Sequence, residues 1–249
     1  MISKIEDTFK VRGLFENWQE TMIWSCLQGM MGDIYTDNIE HPASAVAVLG
    51  DFCFLAGEPK KELVLFLTKD FMIMVPQNHR WEDMIEKCYG KHAKKVTRYA
   101  MKKEPDIFQE EKLKKAMAVS SEYSLNRIDE TLFYLCREQK WSRDFVSQYV
   151  NYEMYQKFGV GIVALKENEI VAGASSYSSY RNGIEIEIDT KTEYRRKGLA
   201  YACGAGLILE CRKRNLYPSW DAQNLWSVAL AEKLGYHFDY EYCAYEIFN

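Results

Sequence analysis

The chain has 249 residues, of which 47% are hydrophobic and 27% charged, and its formal net charge is −4. This length accommodates one large domain or two small ones, and the hydrophobic share is sufficient for a buried core. A slightly acidic chain offers no overall positive field for phosphate backbones, which argues against nucleic acid as a partner. No signal peptide and no apolar run of roughly 20 residues is visible. We therefore expect a cytoplasmic protein without a membrane partner.

The cysteines and histidines give no sign of a metal site or a disulfide framework. The seven cysteines nowhere form a C-x-x-C pair, and the four histidines are unclustered. Thiols with this distribution are typically reduced and mostly buried, and the histidine spacing does not match zinc ligation. We expect no bound metal.

The first half of the chain mixes helix and strand patterns without a chemical signature. These patterns predict a mixed α/β domain. The predicted elements are one long helix or two short ones over 7–31, strands over 44–55 and 63–75, a helix over 81–89 and a strand over 95–101.

A charged stretch at 109–115 separates this half from the rest of the chain. It is either a solvated helix or a connector. We place the domain boundary near residue 118, which gives an N-terminal α/β accessory domain over 1–117 and a second domain over 118–249. A faint helix, strand, strand order recurs in both halves and is compatible with an ancient duplication.

The second half consists of predicted strands joined by predicted helices. Helices that cross between strands imply parallel neighbours, so this order predicts an α/β (α+β) fold with a mixed β-sheet flanked by helices. Ligands of such sheets bind at the carboxyl ends of the strands. The predicted strands are 123–125, 161–165, 170–177, 184–190, 218–222 and a last one ending at 247, and the predicted helices are 128–137, 143–157, 198–214 and 225–234.

A basic turn lies between the predicted strand 184–190 and the helix that follows it. A helix N-terminus presents unpaired N–H groups and a partial positive charge, so it attracts anions. Gly198 has no Cβ to keep a diphosphate away from the backbone, and Arg195, Arg196 and Lys197 add cations beside it. The turn is either such a site or a solvated basic loop. The small residues of the next helix predict close packing, since interior glycines otherwise cost stability.

Two motifs follow one another in this half. Arg195, Gly198 and Ala200 fit the pattern R-x-x-G-x-A, and residues 224–236 read NLWSVALAEKLGY. In this order and spacing they resemble the two acyl-CoA-binding signatures of the GNAT superfamily of N-acetyltransferases. A more distant resemblance is to the zwittermicin-resistance branch, whose members also carry a longer N-terminal region.

The resemblance implies acetyl-CoA as co-substrate, with no metal. Asn224 would contact the pantetheine arm, and Ser227 would face the same ligand; the plainer role of Asn224 is a helix N-cap. Backbone N–H groups near Ile188 and Thr190 would polarise the thioester carbonyl. The residues implied to bind acetyl-CoA are Ile188, Asp189, Thr190, Arg195, Arg196, Lys197, Gly198, Leu199, Ala200, Asn224 and Ser227.

The strand 184–189 alternates isoleucine with acidic residues as IEIEID. Alternation puts the isoleucines on one face and the carboxylates on the other, and the acidic face is either solvent-exposed or part of a site. The resemblance places this strand at the acetyl group. It makes Glu187 and Glu185 the candidate catalytic bases, since an amine must lose its proton to attack. Asp189 could instead orient the substrate.

The general-acid tyrosine that is frequent in this family falls at position 231, where the chain has Ala231. The leaving thiolate must then be protonated in another way. Ser227 completes our set of candidate catalytic residues. The alternatives are solvent, Tyr236, Tyr240, Tyr242 and Tyr245.

The resemblance therefore implies an N-acetyltransferase that moves an acetyl group from acetyl-CoA to a primary amine. The implied acceptor is a small molecule, polyamine-like or an aminopolyol. A protein or peptide acetyltransferase stays open, as does a non-catalytic acyl-CoA sensor, which Ala231 would suit. A homodimer is compatible with these expectations.

Overall fold

The computed structural model describes residues 1–248, which divide into two compact units. The first contains residues 1–98 and the C-terminal stretch from 241, and the second contains residues 99–240. The division of the chain into domains 1–117 and 118–249 stays a prediction. Among residues 1–248, no helix is long and apolar enough to cross a membrane.

The N-terminal part of the chain forms short helices and apolar strands. Residues 7–31 give two short helices rather than one long one. In order, the elements are β1 (Ser3–Lys4), a 3-10 helix (Thr8–Phe15), α1 (Thr21–Leu27), β2 (Asp33–Thr36), β3 (Ser44–Leu49), β4 (Phe52–Gly57), α2 (Lys61–Leu65), β5 (Phe71–Pro76), α3 (His79–Tyr89), a 3-10 helix (Gly90–His92) and β6 (Ala93–Met101).

The C-terminal part carries longer strands and a long central helix. In order, its elements are α4 (Glu110–Ala116), β7 (Ser124–Arg127), α5 (Glu130–Glu138), a 3-10 helix (Arg143–Phe145), α6 (Tyr152–Phe158), β8 (Gly161–Lys166), β9 (Glu169–Tyr180), β10 (Gly183–Thr190), a 3-10 helix (Thr192–Tyr194), α7 (Leu199–Lys213), β11 (Tyr217–Ser219), β12 (Asp221–Ala222), α8 (Leu225–Leu234) and β13 (Phe238–Phe248).

Five strands in each unit follow the same order, and in the first unit β13 adds a further strand beside β5. In the first, β1 to β4 pair antiparallel in sequence order and β4 pairs parallel with β5. In the second, β7 to β10 pair antiparallel in order and β10 pairs parallel with β11. A helix, α2 or α7, connects the parallel strands in each case. The mixed α/β fold class is thereby confirmed, and the recurrence seen in the sequence has a structural counterpart.

Some predicted elements differ from the structure for physical reasons. The strand predicted over 44–55 is two antiparallel strands, β3 and β4, because the chain turns at Gly50, whose φ is 57°. The strand predicted over 63–75 begins as helix α2, because the parallel strands β4 and β5 need a crossover connection between them. The helix predicted over 143–157 is broken into a 3-10 turn and α6. Asn151 begins α6 by accepting a hydrogen bond from the N–H of Met154 at 2.9 Å.

Helix α7 packs closely on the second sheet, as its small residues predicted. Ile184 and Ile186 of β10 share one buried cluster with side chains of α7. A Cβ on Gly204 would lie 2.9 Å from Leu234 Cδ1, and one on Gly206 would lie 3.3 Å from Ile162 Cγ1. Close contact offsets the cost of glycine in a helix and lets α7 pack against both β8 of the sheet and α8.

Candidate active site

The edge strand β11 of the second sheet parts from its neighbour β10 midway along β10. Their parallel pairing ends where Glu185 lies opposite Ser219. The chain then continues as β12, which pairs antiparallel with residues 99–100 of β6 instead. A gap therefore opens beside the C-terminal half of β10, at the carboxyl ends of parallel strands, where ligands of such sheets bind.

Two backbone N–H groups of β10 lie on the edge that faces this gap. Lys191 donates its N–H to the carbonyl of Val171 at 3.0 Å, on the β9 side. Because successive residues of a strand direct their N–H groups to alternate edges, those of Thr190 and Ile188 point towards the gap. The Thr190 N–H donates a hydrogen bond to Asp189 Oδ1 at 2.7 Å. The N–H of Ile188 is therefore the better candidate to donate to a ligand.

Arg195 fixes the end of β10 to the turn. Its Nε donates to the Thr190 carbonyl at 3.1 Å, and its Nη2 lies 3.4 Å from Asp189 Oδ1. Asp189 is therefore engaged in holding the turn. The Thr190 hydroxyl oxygen is buried and has no hydrogen-bond partner within residues 1–248. A polar atom of this kind at a gap is suited to a ligand.

The start of α7 is an open cradle. Gly198 is the N-cap, with φ of 80° and ψ of 3°, and no side chain caps the helix. A Cβ added to Gly198 would meet no atom within 4 Å. Arg196 also has a positive φ, 61°, whereas Leu199 is buried and can offer only its N–H. The uncapped N–H groups, the dipole of a 15-residue helix and the open glycine fit a diphosphate.

Helix α8 begins directly after β12, the strand on the other side of the gap from β10. Asn224 is the N-cap, and its side-chain oxygen accepts the N–H of Ser227 at 3.0 Å. Ser227 Oγ accepts the indole N–H of Trp220 at 3.0 Å. The amide nitrogen of Asn224 and the hydroxyl proton of Ser227 are therefore the groups these side chains would direct at a ligand.

The three carboxylates lie on the face of β10 opposite to α7, as the alternation predicted. Glu185 is 6% exposed and lies in register between Ser178 of β9 and Ser219 of β11. Glu187 is half-buried and lies beyond the last β11 pair, beside the gap. Burial, with smaller contributions from the carboxylates of Glu104 and Glu185, raises the pKa of Tyr217 to about 12. Glu185 is therefore a buried carboxyl group on the acidic face of β10, next to the half-buried Tyr217.

A network of buried hydroxyl groups beneath the acidic face escaped the sequence analysis. Tyr149 OH lies 2.8 Å from the hydroxyls of Ser176 and Ser179, and Tyr155 OH lies 2.8 Å from that of Ser175. These bonds tie α6 and the segment that precedes it to β9. The run SSYSSY in a buried strand was the available signal, because buried hydroxyl groups require partners.

Removing the hydroxyl of Tyr149 tests this network. We expect Tyr149→Phe to lower the free energy of unfolding by about 1 kcal/mol, because buried serine hydroxyls lose a partner. Urea denaturation measures the change. Tyr134→Phe is the control, since Tyr134 is 46% exposed and should leave stability unchanged. Equal stability of the Tyr149 variant and wild type would show that the serines find other partners.

Two of the four tyrosines named as alternative acids, Tyr236 and Tyr245, hydrogen-bond to other groups. Ala231 is fully buried in the core. Tyr236 donates its hydroxyl to the Pro218 carbonyl at 2.7 Å, and burial raises its pKa well above the usual value. In the first unit, Tyr245 donates to Glu86 at 2.6 Å. The hydroxyl group of Ser227 can still donate its proton, so Ser227 stays the candidate to assist the leaving thiolate.

The first unit lacks an equivalent cradle at the corresponding place. There β4 and β5 stay paired over 52–55 and 73–76. The Gly57 carbonyl accepts the indole N–H of Trp81 at 2.9 Å, and a Cβ on Gly57 would collide with the Ala43 carbonyl. Within residues 1–248, no group of three or more histidine, cysteine or acidic residues could hold a metal ion.

The mixed sheet, the parted strands and the open turn fit the class of N-acetyltransferases that the sequence motifs resemble. The chain belongs to the GNAT acetyltransferase family, whose model matches residues 12–245. It is therefore an acetyltransferase enzyme. The zwittermicin-resistance branch and the individual site residues stay predictions.

Known relatives agree with this family. The chain is 26% identical over 240 residues to YdfB of Bacillus subtilis (strain 168), an uncharacterized N-acetyltransferase, and the match covers 90% of this chain and 89% of that one. It is 46% identical to a GCN5-related N-acetyltransferase-like protein from Streptococcus suis 89/1591, with a TM-score of 0.94 over 97% of this chain and 98% of that one. A tandem GNAT protein from the clavulanic acid biosynthesis pathway shares the fold at 9% identity, with a TM-score of 0.54 over 100% of this chain and 98% of that one.

Proposed function

We propose that this enzyme transfers the acetyl group of acetyl-CoA to a primary amine of a small molecule, with Glu187 as the general base. One observation carries the proposal: a half-buried carboxylate on β10 lies beside the gap that opens next to the uncapped start of α7. The turn supplies a diphosphate site, and the strand supplies the base.

Acetyl-CoA supplies the acetyl group as an activated thioester. The amine nitrogen forms a bond to the acetyl carbon, the carbon–sulfur bond breaks, and the sulfur leaves with the electron pair. A lysine-like ammonium has a pKa near 10.4, so freeing its nitrogen at pH 7 costs roughly 4 kcal/mol. Glu187, directly or through one water, takes this proton. The nitrogen loses a second proton to solvent after it has bonded to the acetyl carbon, which gives the neutral amide.

Other residues of the chain have supporting roles in this proposal. The N–H of Ile188 stabilises the negative charge that develops on the carbonyl oxygen. Glu185, buried between Ser178 and Ser219, attracts and orients the cationic acceptor before it loses its proton. The Ser227 hydroxyl donates a hydrogen bond to the departing sulfur, which finally takes a proton from solvent.

A panel of acceptors tests the proposal. CoA release is measured with polyamines, aminoglycosides and a peptide library, each with acetyl-CoA. We expect turnover with one or more of the small amines. Acetylation of peptides alone would contradict the acceptor class, and absence of a thermal shift with saturating acetyl-CoA would contradict the binding site.

We also expect one molecule of CoA to bind per chain. The start of α7 is open, whereas the corresponding place in the first unit is filled by the Trp81 indole and closed strand pairing. Isothermal titration calorimetry of the full chain measures the stoichiometry. Two equivalents per chain would show that the first unit also binds the ligand.

A further inference from the structure

Two lysines and two tyrosines converge beside the start of α7. Lys197 Nζ lies 4.8 Å from the centre of the Tyr194 ring and 3.4 Å from the Tyr123 hydroxyl oxygen. Lys166 Nζ lies 5.8 Å from the centre of the Tyr194 ring and 5.9 Å from that of the Tyr123 ring. The two rings meet edge to face at 6.4 Å. We call these four residues the lysine–tyrosine cluster.

The cluster has more positive than negative charge. Glu122 accepts a hydrogen bond from Lys166 at 2.8 Å, which raises the pKa of that lysine. The two ammonium groups of the cluster are therefore opposed by one carboxylate, that of Glu122. The aromatic rings attract both cations and restrict where they lie, so less conformational entropy remains to be lost when an anion binds. Two partly restrained ammonium groups at one place are therefore suited to bind an anion.

The cluster adjoins the diphosphate cradle through the chain itself. Lys197 immediately precedes Gly198, and Tyr194 ends the 3-10 helix that leads into the turn. Arg195, between them, is already engaged by Asp189 and the Thr190 carbonyl. An anionic ligand that occupies the start of α7 therefore has a second cationic site within reach.

CoA carries two separate phosphate groups: the diphosphate and a phosphate monoester on the ribose 3′ position. We propose that the lysine–tyrosine cluster binds the 3′-phosphate of CoA, with Lys166 and Lys197 as its ligands. The inference rests on the proposed function, because it requires the diphosphate to lie at Gly198. It assigns Lys166, on the hairpin between β8 and β9, to a part of the ligand remote from the acetyl group.

Dephospho-CoA, which lacks only the 3′-phosphate, is the discriminating probe. Isothermal titration calorimetry compares the dissociation constants of CoA and dephospho-CoA for the full chain. We expect wild type to prefer CoA about tenfold, since two charge-assisted contacts are at stake. In Lys166→Gln most of this preference should vanish through weaker binding of CoA, with dephospho-CoA affinity unchanged within about twofold.

Lys191→Gln is the matched control. Lys191 is 26% exposed, close to the 30% of Lys166, and it is likewise paired with glutamates, Glu169 and Glu193, at the same end of the sheet. It should keep the wild-type preference. Equal affinity of wild type for the two ligands, or an equal loss for both in Lys166→Gln, would overturn the inference and leave the proposed function intact. Failure of both ligands to bind wild type would overturn the two together.

Discussion

Replacing Gly198 with aspartate should weaken the binding of CoA at least about 100-fold. The added carboxylate would occupy the open space at the start of α7 where no atom lies within 4 Å of the Cβ position. Two like charges about 4 Å apart repel by roughly 4 kcal/mol near a protein surface, and every 1.4 kcal/mol is about tenfold in affinity. Calorimetry or the loss of the ligand-induced thermal shift measures the effect.

The same substitution should leave the protein folded. Aspartate tolerates the left-handed backbone better than most residues, and a negative side chain at a helix N-terminus is favourable. Gly29→Asp is the control, because Gly29 has a similar φ of 64°, equally open surroundings and a place in the first unit. It should bind CoA as wild type does. Retained affinity in the Gly198 variant would remove the diphosphate from this turn.

The parts of the site that depend on local sequence could be predicted. The glycine at the start of α7, the alternation along β10 and the capping asparagine of α8 are each determined within a few residues, because helix termini and strand faces have local signatures. The structure has Gly198 with a positive φ and Asn224 as a cap, in agreement with this.

The parts that depend on strand pairing could not be predicted. The parting of β10 and β11 after Glu185 exists because β12 pairs with residues 99–100, more than a hundred positions earlier in the chain. Likewise, residues 245–248 pair with β5 at positions 71–74. Local periodicity does not reveal pairing partners that are so far apart in the chain. The domain boundary near residue 118 was therefore placed without knowledge of these pairings.

The two units share an order of five strands but differ in the turn that precedes the crossover helix. Both have four antiparallel strands, a parallel fifth and a helix between the parallel pair. In the first unit that helix, α2, has only five residues and the loop before it is filled by Trp81. In the second, α7 has 15 residues and starts at an open glycine. The start of the crossover helix is therefore open to an anion in the second unit, where the turn is accessible, and not in the first, where Trp81 fills the loop.

Glu187→Gln should lower kcat about 100-fold without changing the affinity for CoA. A positioned general base contributes roughly 10²-fold or more to proton transfer, and glutamine keeps the size of the side chain without its basicity. In wild type, kcat/KM should fall at acid pH, because a protonated carboxyl group at this position cannot accept the proton of the amine. This acidic limb should be absent from the pH profile of the variant.

Glu185→Gln separates the base from its neighbour on the same face of β10. Glu185 lies between two serines inside the sheet, in the last pair that β10 makes with β11, whereas Glu187 lies beyond that pair; we therefore expect Glu185 to act on the acceptor rather than on proton transfer. We expect its loss to raise the KM for the amine, with kcat and the acidic limb retained. If Glu185→Gln instead loses the limb and Glu187→Gln keeps it, the base is Glu185. If both variants keep full activity, the amine loses its proton without either carboxylate.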